Sequence, residues 1–209
     1  MAASGVLRVG LTGGYATGKS FVAAELQRLG CRLVYADKLG HAVLQPDGEA
    51  FQPTVEAFGP EILAPDGTID RKRLGVIVFR SPELLEKLNS FVHPAVFRLE
   101  ERMLDEFARA DPRAIAVIEA AILIETGRYR VFDRLILTTC SIELQIARGI
   151  KRDHLTREQV VARLANQMPA EEKKLYAHFV IDTTGSKEET ITQIGGIFQE
   201  LKRLAETPG

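Results

Sequence analysis

At 209 residues, with 45% hydrophobic and 26% charged side chains, the chain has the make-up of a soluble globular protein able to bury a substantial core. Its 27 Lys and Arg nearly balance 28 Asp and Glu, and a formal net charge of -1 excludes bulk attraction to nucleic acid or an acidic membrane surface. No run of about 18 apolar residues occurs and MAASGVLRVGL lacks a signal-peptide core, so cytoplasmic residence is expected, with neither membrane nor nucleic acid as partner.

Five short runs rich in Val, Ile and Leu fall near Leu7 to Thr12, Arg32 to Ala36, Ala114 to Glu119, Arg134 to Thr138 and Phe179 to Asp182. Helix-period segments separate them, the pattern of a parallel sheet covered by helices. Residues 37–112 show no strand signal. Ser81-Pro82-Glu83 reads there as an N-cap with proline at the first helical position, and Pro94 predicts a kink or restart. Turns are expected at Pro46-Asp47-Gly48 and Pro65-Asp66-Gly67. Ser141 opens a helix carrying Gln145, Arg148, Lys151 and Arg152, and Thr156 with Gln159 starts another that runs to about Pro169. A last helix begins at Ser186, with Glu189 as capping partner, and ends near Ala205. The expected organisation is a nucleotide-binding core of 1–36, 113–140 and 177–209, a helical substrate-binding insertion of 37–112, and a small helical lid of 141–176. Cys31 and Cys140 lack the spacing of a zinc or redox motif and read as small core residues at strand ends.

Gly13, four further residues, then Gly18-Lys19-Ser20 match the phosphate-loop pattern between a strand and a helix. Glycines let the backbone curl so that several amides face one anion, and the helix N-terminus adds partial positive charge. The expected nucleotide-binding residues are therefore Gly13, Gly14, Tyr15, Ala16, Thr17, Gly18, Lys19 and Ser20. Lys19 reaches the outer phosphates, and the Ser20 hydroxyl is offered to Mg2+. GTPase signatures, Asp-x-x-Gly after the third strand and Asn-Lys-x-Asp for guanine, are missing where they belong. Small kinases instead place an acid at the end of the second strand to accept the acceptor hydroxyl's proton, and Asp37 stands there, where it could equally cap the following helix. Arg148 and Arg152, four apart, share a helix face, either as a solvated stripe or as the pair that closes over the transferring phosphoryl group.

These segments, in order, resemble the dephospho-coenzyme A kinases, P-loop kinases similar in fold to nucleoside monophosphate kinases. The resemblance rests on GLTGGYATGKS, on YADKLGHAV with Asp37, and on FGPEILAPDGTIDRKRLGVIVF. His93-Pro94 and FVIDTTGS match further motifs, and LQIARGIKRDHLTREQVVARLANQ carries Gln145, Arg148, Arg152, Arg163 and Gln167 in register. It implies a five-stranded parallel sheet with a helical insertion and a lid, ATP as donor, Mg2+, and phosphorylation of the ribose 3′-hydroxyl of dephospho-CoA, the last step of coenzyme A biosynthesis. Lys19, Asp37, Arg148 and Arg152 would be catalytic, Asp37 and His93 would meet substrate, and Thr183 to Ser186 would face the adenine.

The chain departs from the family's pattern at several places. Tyr35 replaces an Asp, His41 an Arg, Ala16 a Gly and Thr183 an Asn, while Ala121-Ile122-Leu123-Ile124-Glu125 keeps a glutamate without its proline. Tyr35 and His41 leave a kinase of another small hydroxyl or nucleoside-phosphate acceptor open, and a nucleotide-binding regulator without catalysis is the third reading. His93 could instead cap a helix break, and Glu119 and Glu125 either approach the metal's water shell or face solvent.

Overall fold

The computed structural model describes residues 6–206, which divide into two compact units, one made of the residues up to Val34 with those from Glu106 onward and the other of Tyr35–Asp105. The strands are β1 (Leu7–Gly13), β2 (Arg32–Tyr35), β3 (Ile115–Glu119), β4 (Arg134–Thr139) and β5 (Phe179–Asp182), in sheet order β2-β3-β1-β4-β5. β1 pairs in parallel with β3, Val9 opposite Val117, and with β4, Leu11 opposite Ile136. All five strands lie within a residue of where the apolar runs put them; the three central ones, β3, β1 and β4, are buried on both faces and so read as near-continuous apolar runs.

The helices are α1 (Lys19–Arg28), α2 (Ala36–Ala42), α3 (Phe51–Phe58), α4 (Arg71–Val78), α5 (Pro82–Ala110), α6 (Ile142–Asp153), α7 (Arg157–Ala165), α8 (Ala170–Lys174) and α9 (Lys187–Glu206). In the first unit Val22 and Leu26 of α1 and Ile194 and Leu201 of α9 are buried with Leu11, Ile118 and Ile136 of the sheet. At about 25 cal/mol per Å2 of apolar surface, each such side chain contributes roughly 1.5–3 kcal/mol.

The second unit has its own core of Phe58, Ile62, Ile69, Leu74 and Val78. Leu63 and Ile69 form an antiparallel bridge around the turn at Ala64–Gly67, where the Gly67 amide donates to the Ala64 carbonyl at 3.0 Å. Asp70 then caps α4, accepting from the Lys72 and Arg73 amides at 2.9 and 3.2 Å.

Two helix expectations are corrected. Pro94 does not restart its helix: α5 runs from Pro82 to Ala110 with Pro94 inside, which leaves a kink as the surviving half of that expectation. An interior proline loses one amide donor and crowds the carbonyl four residues back, a cost of about 3 kcal/mol or more, which this 29-residue helix offsets by burying Ala95 and Val96 directly after it and Leu104 further on. The helix opened by Thr156 ends at Ala165 rather than near Pro169, and Pro169 starts a separate short helix, α8. The capping boxes at Thr156 with Gln159 and Ser186 with Glu189 both form.

Candidate active site

In the first unit β1 runs into the phosphate loop and α1 leaves it, with Gly18 as N-cap. A Cβ on Gly13 would stand 2.6 Å from the Thr138 carbonyl oxygen, so only glycine lets the loop press against β4. Ala16 holds a left-handed φ of 56°, which accounts for the family's glycine there. Lys19 Nζ donates to the carbonyls of Gly13 and Gly14 at 2.9 and 3.0 Å, which holds the ammonium across the loop's concave side. Ser20 is exposed in the first turn of α1. Mg2+ keeps most of its water and takes few protein oxygens beside those of the phosphates, so one hydroxyl at this position fits it. Among the described residues no cluster of three or more His, Cys, Asp or Glu offers a self-sufficient metal site.

A chain of hydrogen bonds ties the loop to α6 and to the end of β5. Arg148 Nη1 donates to Thr183 Oγ1 at 2.8 Å and Nη2 to the Thr183 carbonyl at 2.9 Å, while Thr183 Oγ1 donates to the Thr17 carbonyl at 2.8 Å. Thr183 is 3% exposed. The sequence presents it as a substitute for asparagine in a turn expected to face the adenine, and its bracing role has no signal there, because the partners lie 35 and 166 residues away. The Ser141 amide donates to Thr184 Oγ1 at 2.9 Å, which fixes the same closing loop to the start of α6. Arg148 also donates to Cys140 Sγ at 3.3 Å. Cys140 is thus a half-buried acceptor at the site rather than a plain core residue, whereas Cys31 is buried and its thiol is pushed up to about 12 by burial.

Arg152 takes a different partner from Arg148. Its Nε and Nη2 donate to the Asp153 carboxylate at 2.8 and 3.0 Å, with Arg163 Nη1 on the same carboxylate at 3.3 Å. The Arg152 hydrogen bonds, and then that from the Tyr15 hydroxyl, hold the Asp153 carboxyl well below the usual carboxylate range, and the same pairing raises Arg152. Gln167 Oε1 accepts from the Tyr15 amide at 2.7 Å, and the buried Gln145 donates through Nε2 to the Cys140 carbonyl at 2.8 Å. A cavity of about 650 Å3, lined in part by Gly14, Thr17, Gln145, Gln167 and Lys173, adjoins the loop, with the size of a small-molecule site. Glu125 lies at an exposed position, and its Oε1 reaches inward to 2.6 Å from Nζ of Lys173, which is 1% exposed, an ion pair without a hydrogen bond's alignment. Glu119 ends β3, half-buried.

In the second unit Asp37 lies in the first turn of α2 and is exposed. It is not the cap: Tyr35 holds that position without a side-chain bond, its ring 4.4 Å from Lys38 Nζ. The cap reading fails because β2 ends one residue early and the helix starts at Ala36. A carboxylate in a first turn still gains from the helix dipole. His93 is exposed in the interior of α5, where it stacks on Phe97 with ring centroids 6.0 Å apart, so it caps no helix break. His41 is exposed in the last turn of α2.

A family profile described as dephospho-CoA kinase matches residues 7–189. The dephospho-CoA kinase of Geobacter metallireducens is 42% identical over 203 residues, covering 97% of this chain and all of that protein. Among solved structures, a Thermus thermophilus protein superposes with a TM-score of 0.78 at 31% identity, covering 98% of each chain. The Campylobacter jejuni dephospho-CoA kinase gives 0.72 at 27% identity, over 95% of this chain and 98% of that one.

Proposed function

The chain belongs to the dephospho-CoA kinase family, and on that premise we propose that it transfers the γ-phosphoryl group of ATP to the ribose 3′-hydroxyl of dephospho-CoA, giving coenzyme A and ADP. The observation that carries this reading is the phosphate loop braced by Arg148 and Thr183, with Lys19 aimed over its carbonyls. A preorganised ring of cations and amides stabilises charge as it develops on the transferring group, and it costs no rearrangement at that moment. Lys19 and the loop amides hold the phosphates, Arg148 orients the nucleotide against the Thr183 to Ser186 turn, and Arg152 meets the moving phosphoryl group. Asp37 takes the proton from the 3′-hydroxyl, and His93 is assigned a contact with the acceptor substrate. Mg2+, bound through Ser20 and the phosphates, would neutralise charge between the outer two phosphates.

A coupled ADP-release assay with ATP, Mg2+ and dephospho-CoA, and mass detection of coenzyme A, tests this. The expected result is turnover far above the ATPase background; a rate no higher than that background overturns it. Asp37→Asn should lower the rate by about a hundredfold or more while leaving ATP affinity within about twofold. An unchanged rate would remove Asp37 as the base. Tyr35 at the cap of α2 and His41 in its last turn favour one second reading, another small hydroxyl acceptor. Faster turnover of a nucleoside or sugar in a substrate panel would select it.

A further inference from the structure

Within the phosphate-loop pattern Tyr15 is a free position, yet it is where α6 and α7 meet the loop. A Cβ on Gly149 of α6 would stand 2.6 Å from Tyr15 Cε1, so the ring occupies the space that glycine leaves. The Tyr15 hydroxyl donates to Asp153 Oδ2. The guanidinium carbons of Arg152 and Arg163 lie 4.9 and 5.5 Å from the ring centroid. Asp153 joins all three: besides the phenol it accepts from Arg152 through both oxygens and from Arg163. One carboxylate therefore holds two cations, one from each helix, against an aromatic ring of the loop.

We propose that Asp153, acting with Tyr15, is a positioning residue for phosphoryl transfer that fixes where Arg152 and Arg163 stand beside the phosphate loop. This rests on Arg152 meeting the phosphoryl group. Two guanidiniums on one carboxylate keep a net positive charge at the loop, the sign a polyphosphate needs. Two like charges placed this close would otherwise part, and each long side chain would regain its rotamer entropy. Both guanidiniums lie within cation–π reach of the ring, while the bidentate contact to Asp153 fixes the plane of Arg152. Asp153 touches neither nucleotide nor acceptor in this scheme; it acts through the arginines.

The test compares Asp153→Asn, Tyr15→Phe and the double variant for kcat, for KM of ATP and for melting temperature. Asp153→Asn should lower kcat about tenfold with KM within about twofold, since the contact it removes counts most in the transition state. Tyr15→Phe keeps the ring and should cost less, and the double variant should match Asp153→Asn alone. Wild-type kcat in Asp153→Asn, or fully additive effects, overturns the proposal; so does a kcat loss explained by a melting point below the assay temperature. An Arg152 Nε–H resonance in 15N NMR reads the contact without turnover. It should be shifted and slow to exchange in the parent and ordinary in Asp153→Asn; an ordinary signal in the parent overturns the clamp even if no dephospho-CoA is phosphorylated. Absent turnover with the resonance shifted would instead count against the substrate alone.

Discussion

Ala16 bears a left-handed φ of 56° that costs an L-residue about 1 kcal/mol or more, and glycine avoids that cost. Ala16→Gly is therefore expected to leave stability unchanged or raise it by up to about 1 kcal/mol, the relief being offset by a more flexible unfolded chain. Ala16→Val should lose about 2 kcal/mol or more, since a β-branched side chain hardly tolerates this region. Urea denaturation of both variants checks the pair. The Glu125–Lys173 contact gives a sharper case. Removing the glutamate strands an ammonium that is 1% exposed, so Glu125→Ala should cost about 3 kcal/mol, whereas Lys173→Met, which removes the buried charge itself, should cost clearly less. Equal losses would mean that the pair is not buried in solution.

At the scale of elements, the parts legible in the sequence were those governed by neighbours along the chain. The five strands, the capping boxes at Thr156 and Ser186 and the turn at Ala64–Gly67 depend on residues a few positions apart. Thr156→Ala should accordingly destabilise by about 1 kcal/mol, visible as a lower melting temperature. What the sequence did not reveal depends on distant packing. Pro94 has the local signature of a helix break, but burial of the following turns carries α5 through it. Asp37 has the signature of a cap, but β2 hands over to α2 one residue too soon. The loop glycines and Lys19 were readable because a phosphate motif is contiguous; Thr183, Asp153 and the Tyr15 ring were not, because their meaning lies in partners 138 and 166 residues away.

For the molecule as a whole, several carboxylates are held below their usual range by arginines: Glu49 by Arg98, Glu143 by Arg157, Glu200 by Arg203 and Asp153 by Arg152. Between their depressed values and the ordinary one near about 4, the unfolded chain binds more protons than the folded one, so stability rises with pH there. The contribution is complete above about pH 5 and is lost progressively as pH falls through about 4 toward the folded values. Melting temperatures should drop between about pH 5 and pH 3, less steeply in Asp153→Asn and less at high salt, which screens exposed pairs. A flat profile would mean that these carboxylates titrate alike in the folded and unfolded chains.

The Thr183 hydroxyl that braces the Thr17 carbonyl has a consequence for biosynthesis. The phosphate loop follows β1 and its brace follows β5, the first and last strands among the described residues, so a nascent chain can complete the loop's support only after residue 183 has cleared the ribosome. Premature capture of nucleotide by a growing chain is thereby disfavoured, and termination before β5 should release products with weakened phosphate affinity.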